Sequence, residues 1–428
     1  MIMKICILCL GTQGDILPYI ALGAELKKRG HDVRIASFSK AKTLCEKYGL
    51  SFSCVEGDVT LLISSEKGED FFLKKKKGQL ALIKEFFHYT RQVIDQQLDT
   101  SLKAVEGSEL LLFNHNAFAG PHLGEFFNIP SIRITPILNV WSKEYPSYFF
   151  LKLAKFGKVG SLLSHFFHEQ FLWQPIRKKV NSWRKNKLHL QRTNFFGNSF
   201  DKINKKIPIV VTINPNFFPP PKDWGKKIVM TNFCRVYEKN TWKPSEELEE
   251  FVKKPVDLYV SLGSASPGCP PSLIAKMIEV LTKNKIRTII NADLPLNNIL
   301  LPSWVFPVKY VPHDWILPKV KGMIHHGGVG TLAAALYDAI PMLIIPFFSD
   351  QFFWGEYIEQ LKLGPKPINV STFTANLFEE RLNDLLTNQT YKKNVKEMQQ
   401  KILEIPDGVD LTIAAIFNLL QQMKKDDK

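Results

Sequence analysis

The sequence predicts an α/β protein made of two doubly wound parallel sheets. Three observations support this class. Short apolar strands alternate with helical segments in both halves of the chain, a pattern typical of parallel sheets. A proline-rich stretch at 214–224 interrupts the alternation. Glycine-rich turns between a strand and a helix occur in each half, at 11–14 and at 327–330. The 428 residues are enough for two complete hydrophobic cores.

The first half begins with a predicted strand at 4–10 and a helix at 20–28, which Gly30 ends. Further strands are predicted at 33–37, 110–113, 131–135 and 209–213. The segment NPNFFPPPKDW at 214–224 contains four prolines and suits neither a helix nor a central strand, so we place an interdomain linker at about 215–226. The alternation then resumes with predicted strands at 228–230, 257–262, 287–290 and 304–308. We therefore predict domains at 1–220 and 221–405, followed by a C-terminal helical segment at 406–428.

Composition limits the compartment and the partners. No apolar run is long enough to span a membrane, and the apolar stretch at 1–10 lacks a signal-peptide cleavage site. The six cysteines show no zinc-binding pattern, and we interpret Cys6 and Cys9 as buried thiols in the first strand. Reduced thiols suit a cytoplasmic protein. The net charge of +15 comes without a nucleic-acid recognition motif, so nucleic acid is not a predicted partner.

The basic residues are unevenly placed. Between 151 and 200 there are ten Lys or Arg residues and one acid, Glu169, interleaved with aromatic side chains. A second basic-aromatic segment opens with FFLKKKK at 71–77 and extends to 87. Two interpretations remain open for the segments 71–87 and 151–192. They are solvated helix faces, or they dock the protein peripherally on an anionic membrane, where each basic residue contributes about 1 kcal/mol.

The stretch at 323–351, MIHHGGVGTLAAALYDAIPMLIIPFFSDQ, carries the strongest functional signal. Its order is strand, turn through Thr331, helix at 332–339, turn and strand at 342–345. The glycines let the first amides of the helix approach an anion, while the Thr331 hydroxyl and the His326 ring suit a phosphate oxygen. Asp350 and Gln351 follow the next strand and can bind vicinal hydroxyls. The pattern fits neither a P-loop nor a dinucleotide fingerprint. It describes a nucleotide-sugar pocket.

The chain resembles family 1 glycosyltransferases, most of all sterol glucosyltransferases and bacterial antibiotic or lipid glycosyltransferases. The resemblance covers about residues 4–405 and is weakest at 140–200. It rests on GTQGDILP at 11–18, ALG at 21–23, GHDV at 30–33, NAFAGPH at 116–122, YVSLGS at 259–264, YVPHDW at 310–315, HHGGVGT at 325–331 and PFFSDQFFWG at 346–355. It implies the GT-B fold, with two Rossmann-like domains facing across a cleft and a C-terminal helix that crosses back onto the first domain.

The resemblance also implies roles for individual residues. Asp15 corresponds to the family's general base, although a helix N-cap is the structural alternative for an aspartate in this position. On the donor side the implied contacts to the diphosphate are His326, Gly328, Val329, Gly330, Thr331 and Ser264. Those to the sugar are Asp350 and Gln351, and those to the base are Tyr310, Val311 and His313. His122 and Phe118 are expected on the acceptor side.

The expected activity is inverting transfer of a hexose, with glucose from UDP-glucose in first place, to a hydroxyl of a lipophilic acceptor such as a sterol. No D-x-D pair is present to hold a divalent cation, so we expect neither a metal nor another cofactor. Two alternatives stay open. One is a natural-product enzyme that uses a UDP- or dTDP-sugar and a macrolide, polyketide or peptide aglycone. The other is a catalytically silent lipid-surface binding protein.

Overall fold

A computed structural model describes residues 2–59, 79–196, 207–263, 269–291, 293, 294, 296 and 299–426. The chain forms two compact units. Unit 1 comprises Met1–Thr60, Ile83–Val236 and Ile405–Lys428, and the larger part of unit 2 is Tyr237–Glu404. Each unit has its own parallel sheet and its own buried core.

The described residues of unit 1 form a seven-stranded parallel sheet with the order β3-β2-β1-β4-β5-β6-β7. The strands are β1 (Lys4–Leu8), β2 (Asp32–Ser37), β3 (Ser51–Cys54), β4 (Leu110–Phe113), β5 (Ser131–Thr135), β6 (Ile209–Val211) and β7 (Ile228–Met230). The order reverses between β1 and β4, and in open α/β sheets ligands bind at the carboxyl ends of the strands at such a switch point. The loops after β1 and β4 are therefore the expected ligand loops of unit 1.

The helices of unit 1 that precede β6 are α1 (Gln13–Lys28), α2 (Lys42–Lys47), α3 (Gln79–Val105), α4 (Gly120–Phe127) and α5 (Gly157–Asn186). Helix α1 begins seven residues earlier than the sequence pattern predicted, at Gln13 instead of residue 20. The cause is local. The Asp15 carboxylate accepts a hydrogen bond from the backbone N–H of Thr12, which satisfies one of the amides at the start of the helix.

The position of β7 corrects the predicted organisation. We expected residues 228–230 to open the second domain, but β7 pairs in parallel with β6, with Ile228 opposite Ile209. The proline-rich stretch therefore connects two strands of one sheet, and unit 1 continues to Val236. Prolines tell us that a segment is extended, but they do not tell us whether the following strand joins the old sheet or a new one.

The described residues of unit 2 form a five-stranded parallel sheet with the order β10-β9-β8-β11-β12. The strands are β8 (Val256–Ser261), β9 (Thr288–Asn291), β10 (Val305–Val308), β11 (Val320–His325) and β12 (Met342–Ile344). The helices are α6 (Glu246–Val252), α7 (Pro271–Lys283), α8 (His313–Ile316), α9 (Val329–Tyr337), α10 (Gln351–Gln360), α11 (Ala375–Thr387) and α12 (Gln389–Leu403). The order reverses between β8 and β11, so the loops after these two strands are the expected ligand loops.

The last helix, α13 (Gly408–Asp426), belongs to unit 1, although it follows unit 2 in the chain. Its apolar face joins the core beneath α1, where Ile413 and Ile416 are fully buried. Phe417 stacks on His31 with the ring centroids 5.3 Å apart. The expected return of a C-terminal helix to the first sheet is confirmed.

Two further expectations concern the composition. Cys6 and Cys9 are buried and unpaired, as predicted, and burial raises the pKa of the Cys6 thiol to about 12. Among the helices in the described ranges, none has the length and apolar character needed to cross a membrane.

Candidate functional site

The glycine-rich turn after β11 leads directly into a helix. Helix α9 begins at Val329 with Gly328 as its N-cap, earlier than the predicted start at residue 332. Val329, Gly330 and Thr331 are therefore the first three helical residues, whose amides have no partner within a helix. Gly330 is exposed and Thr331 is half-buried. Three amides without a partner inside the helix and a hydroxyl, at a positive helix end, are suited to an anion such as a diphosphate.

His326 lies beside this turn and is held by glycines from two different loops. A Cβ added at Gly263, after β8, would overlap the His326 Cε1, and a Cβ added at Gly328 would overlap its Nε2. Gly263 also has a φ of +58°, a conformation that favours glycine. Burial, and then the neighbouring His313, lower the pKa of His326 to about 4. The ring is therefore neutral at pH 7, with one nitrogen that donates a hydrogen bond and one that accepts.

The adjacent His325 has a structural position. It is fully buried at the end of β11, and its Nδ1 accepts a hydrogen bond from the Gly327 backbone N–H at 3.1 Å. Burial, and then the neighbouring His326, lower the pKa of His325 well below its ordinary value. This histidine fixes the turn, and His326 is the one that lies against the N-cap glycine of α9.

Asp350 and Gln351 start α10 after β12. The side-chain oxygen of Gln351, Oε1, accepts hydrogen bonds from the backbone N–H groups of Phe347 and Phe348, at 2.8 and 3.2 Å. Asp350 Oδ2 accepts a hydrogen bond from Trp354 Nε1 at 2.9 Å. These contacts orient both side chains.

The residues expected near the base occupy different environments. The Tyr310 ring is 47% exposed, and its hydroxyl donates to the Glu238 carboxylate. Val311 is buried. His313 begins α8 and lies edge-on to Tyr259, with the ring centroids 6.0 Å apart. Ser264, expected as a second phosphate contact, lies outside the described residues.

Asp15 occupies the third position of α1, at the switch point of the first sheet. Its Oδ2 accepts hydrogen bonds from both the backbone N–H and the hydroxyl of Thr12, at 2.8 and 2.9 Å. The residue at the N-cap is therefore Thr12 and not Asp15, which corrects the structural alternative considered from sequence. Among the described residues, Asp15 Oδ1 has no hydrogen-bond partner. Asp15 is half-buried, so the structure leaves one oriented carboxylate oxygen for another group.

His115 is a candidate residue that the sequence analysis missed. It follows β4, next to β1 in the sheet, and its ring interacts electrostatically with Asp15. Burial lowers the pKa of His115 to about 4, and the Asp15 charge opposes that shift. Its Nδ1 has no partner within the described part of the chain. The sequence signal that could have identified His115 is its position directly after β4, the strand that neighbours β1 at the switch point.

The structure does not support the acceptor-side role expected for His122. The ring is buried in α4, and its Nδ1 accepts a hydrogen bond from Arg184 at 2.9 Å, while Arg184 also pairs with Glu125. This histidine is part of a helix-to-helix contact and is closed to an acceptor in the described structure. Phe118 is half-buried against the core beside β4, so part of its ring stays accessible.

Comparisons with known proteins identify the family of the chain. Residues 5–142 match the family model described as glycosyltransferase family 28 N-terminal domain, and residues 281–415 match the erythromycin biosynthesis protein CIII-like, C-terminal domain. The chain is 31% identical over 400 residues to a sterol 3-beta-glucosyltransferase of Yarrowia lipolytica, an alignment that covers 89% of this chain. A sterol 3-beta-glucosyltransferase of Saccharomyces cerevisiae is 28% identical, over 98% of this chain. The chain belongs to the family 1 GT-B glycosyltransferases.

Solved structures show that this glycosyltransferase-family chain has the GT-B fold. The glycotransferase of kitacinnamycin superposes with a TM-score of 0.71 at 16% identity, over 99% of both chains. The glycosyltransferase VinC in complex with dTDP superposes with a TM-score of 0.67 at 15% identity, over 99% of this chain and 100% of VinC. The two sterol glucosyltransferases named above are much longer proteins. This chain spans 27% of the first and 35% of the second.

Proposed function

We propose that the chain is an inverting glycosyltransferase that moves a hexose, glucose from UDP-glucose in first place, to a hydroxyl of a lipophilic acceptor such as a sterol. The start of α9 carries this proposal. The amides of Val329, Gly330 and Thr331 have no partner inside the helix, and the neutral His326 lies against the N-cap glycine before them. Together they would form a binding site for the diphosphate. Asp350 and Gln351, one helix and one strand further on, would bind the sugar hydroxyls.

The chemistry is a single displacement. The acceptor hydroxyl transfers its proton to Asp15 Oδ1 as its oxygen bonds to the anomeric carbon of the sugar. The bond between that carbon and the diphosphate oxygen breaks on the opposite face, which inverts the configuration. The diphosphate leaves with its electron pair, and the amides of α9 stabilise the new charge. Removing one such preorganised donor typically costs about 3 kcal/mol of transition-state stabilisation.

The relatives bear on two open points, the acceptor and the nucleotide base of the donor. The relatives named above are sterol 3-beta-glucosyltransferases, which favours a sterol-like acceptor. The solved structure of VinC has dTDP bound, so the experiment also tests the natural-product alternative with a dTDP-sugar. The test is incubation with UDP-glucose or dTDP-glucose and a panel of sterols, lipids and aglycones, read by mass spectrometry. Asp15→Asn serves as the inactive control for each pairing.

The expected result is a sterol-hexose adduct with UDP-glucose that is missing in the control. An adduct only on macrolide, polyketide or peptide aglycones would favour the natural-product alternative. No adduct with any acceptor, together with no donor hydrolysis, would favour the catalytically silent alternative. UDP-glucose hydrolysis without an acceptor distinguishes an active glycosyltransferase from a catalytically silent protein, because a silent protein leaves the donor intact.

We also propose peripheral membrane contact through the start of α5. Phe156, Val159, Leu163 and Phe167 form a stripe at helical spacing, and their exposed fractions are 60, 66, 44 and 46%. Exposed lysines accompany the stripe at 152, 155 and 158. An apolar stripe beside cations is typical of helices that lie on anionic lipid. Not all of the basic segment can take part, because Arg184 is buried against Glu125. The segment at 71–87 has no described side chains.

Vesicle sedimentation tests this contact. We expect binding to phosphatidylserine vesicles to exceed binding to phosphatidylcholine vesicles, and the double variant F156S/F167S to lose it. The matched control is Phe195→Ser, which removes an equally exposed ring that lies outside the stripe. Equal sedimentation of the stripe variant and the wild type would refute the proposal.

A further inference from the structure

A small cavity opens in unit 1 between the loop after β5 and helix α5. Its volume is about 20 Å³, enough for one water-sized group such as a hydroxyl. Among the described residues it is lined by Asn139, Trp141, His165, His168, Glu169 and Leu172. Neither the donor site nor Asp15 uses these side chains, and their number and polarity are unusual for a domain interior.

His168 presents an unsatisfied nitrogen in this cavity. The side chain is 95% buried, and its Nε2 has no hydrogen-bond partner within the described residues. Its Nδ1 lies 2.7 Å from Ser147 Oγ, and within those residues it is the acceptor available to that hydroxyl. Burial, and then His165 and His115, lower the pKa of His168 to about 3, so the ring is neutral. With Nδ1 accepting from Ser147, Nε2 carries the proton and is a buried donor.

His165 supplies the complementary group. Its Nε2 lies 3.1 Å from the Tyr145 carbonyl oxygen, which can only accept, so Nε2 carries the proton. Burial lowers the pKa of His165 to about 4, and the neutral ring leaves Nδ1 as an acceptor. Trp141 stacks on this ring at 6.2 Å between centroids, and Leu172 adds an apolar wall. The lining therefore offers a donor, an acceptor and apolar surface.

The strand order relates the loop that lines this cavity to the loop of the proposed base. Asp15 follows β1, His115 follows β4 and Asn139 follows β5, and these three strands are neighbours in that order. Adjacent strands are about 4.8 Å apart, so the ends of β1 and β5 lie two strand spacings, roughly 10 Å, from each other. His115 also links the two places electrostatically, because it interacts with both Asp15 and His168.

We propose that this cavity is an acceptor subsite that binds a second hydroxyl of the acceptor, remote from the hydroxyl that receives the sugar. The inference rests on the proposed function, because it takes the molecule next to Asp15 to be the acceptor. His168 Nε2 donates to the second hydroxyl oxygen, and His165 accepts from its hydrogen. The preferred acceptor is thus a rigid apolar molecule with oxygens at both ends, roughly 10 Å apart.

Two steroids test the subsite. Androst-5-ene-3β,17β-diol has hydroxyls at the two ends of the ring system, and androst-5-en-3β-ol lacks the one at carbon 17. We expect the wild type to favour the diol by about tenfold in kcat/KM, the usual net effect of a hydrogen bond to a buried donor. His168→Asn keeps a group for Ser147 but loses the donor at Nε2, so the preference should fall to about one. His168→Gln places an amide near Nε2 and should retain most of it.

Two results would overturn the subsite: equal kcat/KM for the two steroids in the wild type, or an equal loss on both in His168→Asn. If neither steroid is glycosylated, the proposed function fails for this acceptor class, and equilibrium binding then decides the subsite. Saturation-transfer NMR should show tighter binding of the diol by the wild type, with no such difference in His168→Asn. Equal binding of both steroids by the wild type would reject the subsite independently of turnover.

Discussion

The His326 ring lies against Gly263, so closely that the position has no room for a Cβ. The two residues are 63 positions apart and follow β11 and β8, which are neighbours across the switch point of the second sheet. The contact makes the loop after β8 a support for the histidine that stands beside the start of α9. It explains why glycine is needed at a position that does not itself need to touch a phosphate.

Gly263→Ala should weaken UDP binding by about tenfold. The new methyl group must displace the His326 ring, and the left-handed backbone at 263 adds strain. Isothermal titration calorimetry with UDP measures the effect. Gly225→Ala is the matched control, because a Cβ there meets no atom within 4 Å and the backbone is not left-handed. Equal UDP affinity in both variants would show that the position of His326 does not matter for the donor.

His326→Ala and Gly328→Ala should each weaken UDP binding, and the double variant should be no worse than the poorer single variant. The reason is that a Cβ at 328 would occupy the space of His326 Nε2, so both changes remove the same contact. A double-mutant cycle by calorimetry measures the coupling. Independent, additive losses would mean that the histidine and the start of α9 bind different parts of the ligand. Unchanged affinity in both single variants would reject the diphosphate site.

Turnover should survive chelation. The sequence has no D-x-D pair, and the first amides of α9 can stabilise the leaving diphosphate by hydrogen bonding. We expect activity in EDTA to stay within about twofold of the untreated rate, with a modest effect of Mg²⁺ on product release. Loss of turnover in EDTA that Mn²⁺ or Mg²⁺ restores would contradict this account of the leaving group.

The protein should lose thermal stability as the pH falls below about 6.5. The pKa values of His115 and His165 are lowered to about 4, and those of His122 and His168 to about 3, mainly by burial. Unfolded histidines titrate near 6.5, so the unfolded chain binds more protons between pH 6.5 and 4. The folded state is therefore favoured above pH 6.5 and penalised progressively below it. We expect Tm to be lower at pH 5 than at pH 7 by roughly 10 °C.

A matched variant isolates one of these protons. His122→Asn keeps an acceptor for Arg184 but cannot be protonated, so its Tm should fall less steeply with pH than that of the wild type. Parallel Tm profiles for the two proteins, or a wild-type Tm that does not fall between pH 7 and pH 5, would show that buried neutral histidines do not set the acid limit.

Much of the fold could be predicted from local pattern. The apolar strands at 110–113 and 131–135 match β4 and β5 residue for residue, because fully buried parallel strands are short apolar runs. Local pattern failed where the deciding contact was specific or distant. The start of α1 depends on the hydrogen bond from Thr12 to Asp15, and β7 joins the first sheet by pairing with a strand on the other side of the prolines.

The site divides in the same way. The glycines and Thr331 were predicted from the need for free amides at a helix start, which is a local property. The contact between Gly263 and His326, and the proximity of His115 to Asp15, both arise from strand order, which a single sequence does not display. Burial of His122 was missed for a related reason, since its partner Arg184 lies 62 residues away on another helix.

Asp15→Asn, assayed for glucose transfer and UDP binding in the same preparation, tests the central claim most directly. Asparagine keeps an oxygen that can accept from Thr12, so α1 and the melting temperature should be preserved. It cannot take the proton of the acceptor. We predict that kcat falls by roughly 10²–10⁴, the usual effect of losing a general base, while UDP affinity is unchanged. Turnover within a few-fold of the wild type would contradict the account, because Asp15 would then be only a structural residue at the start of α1.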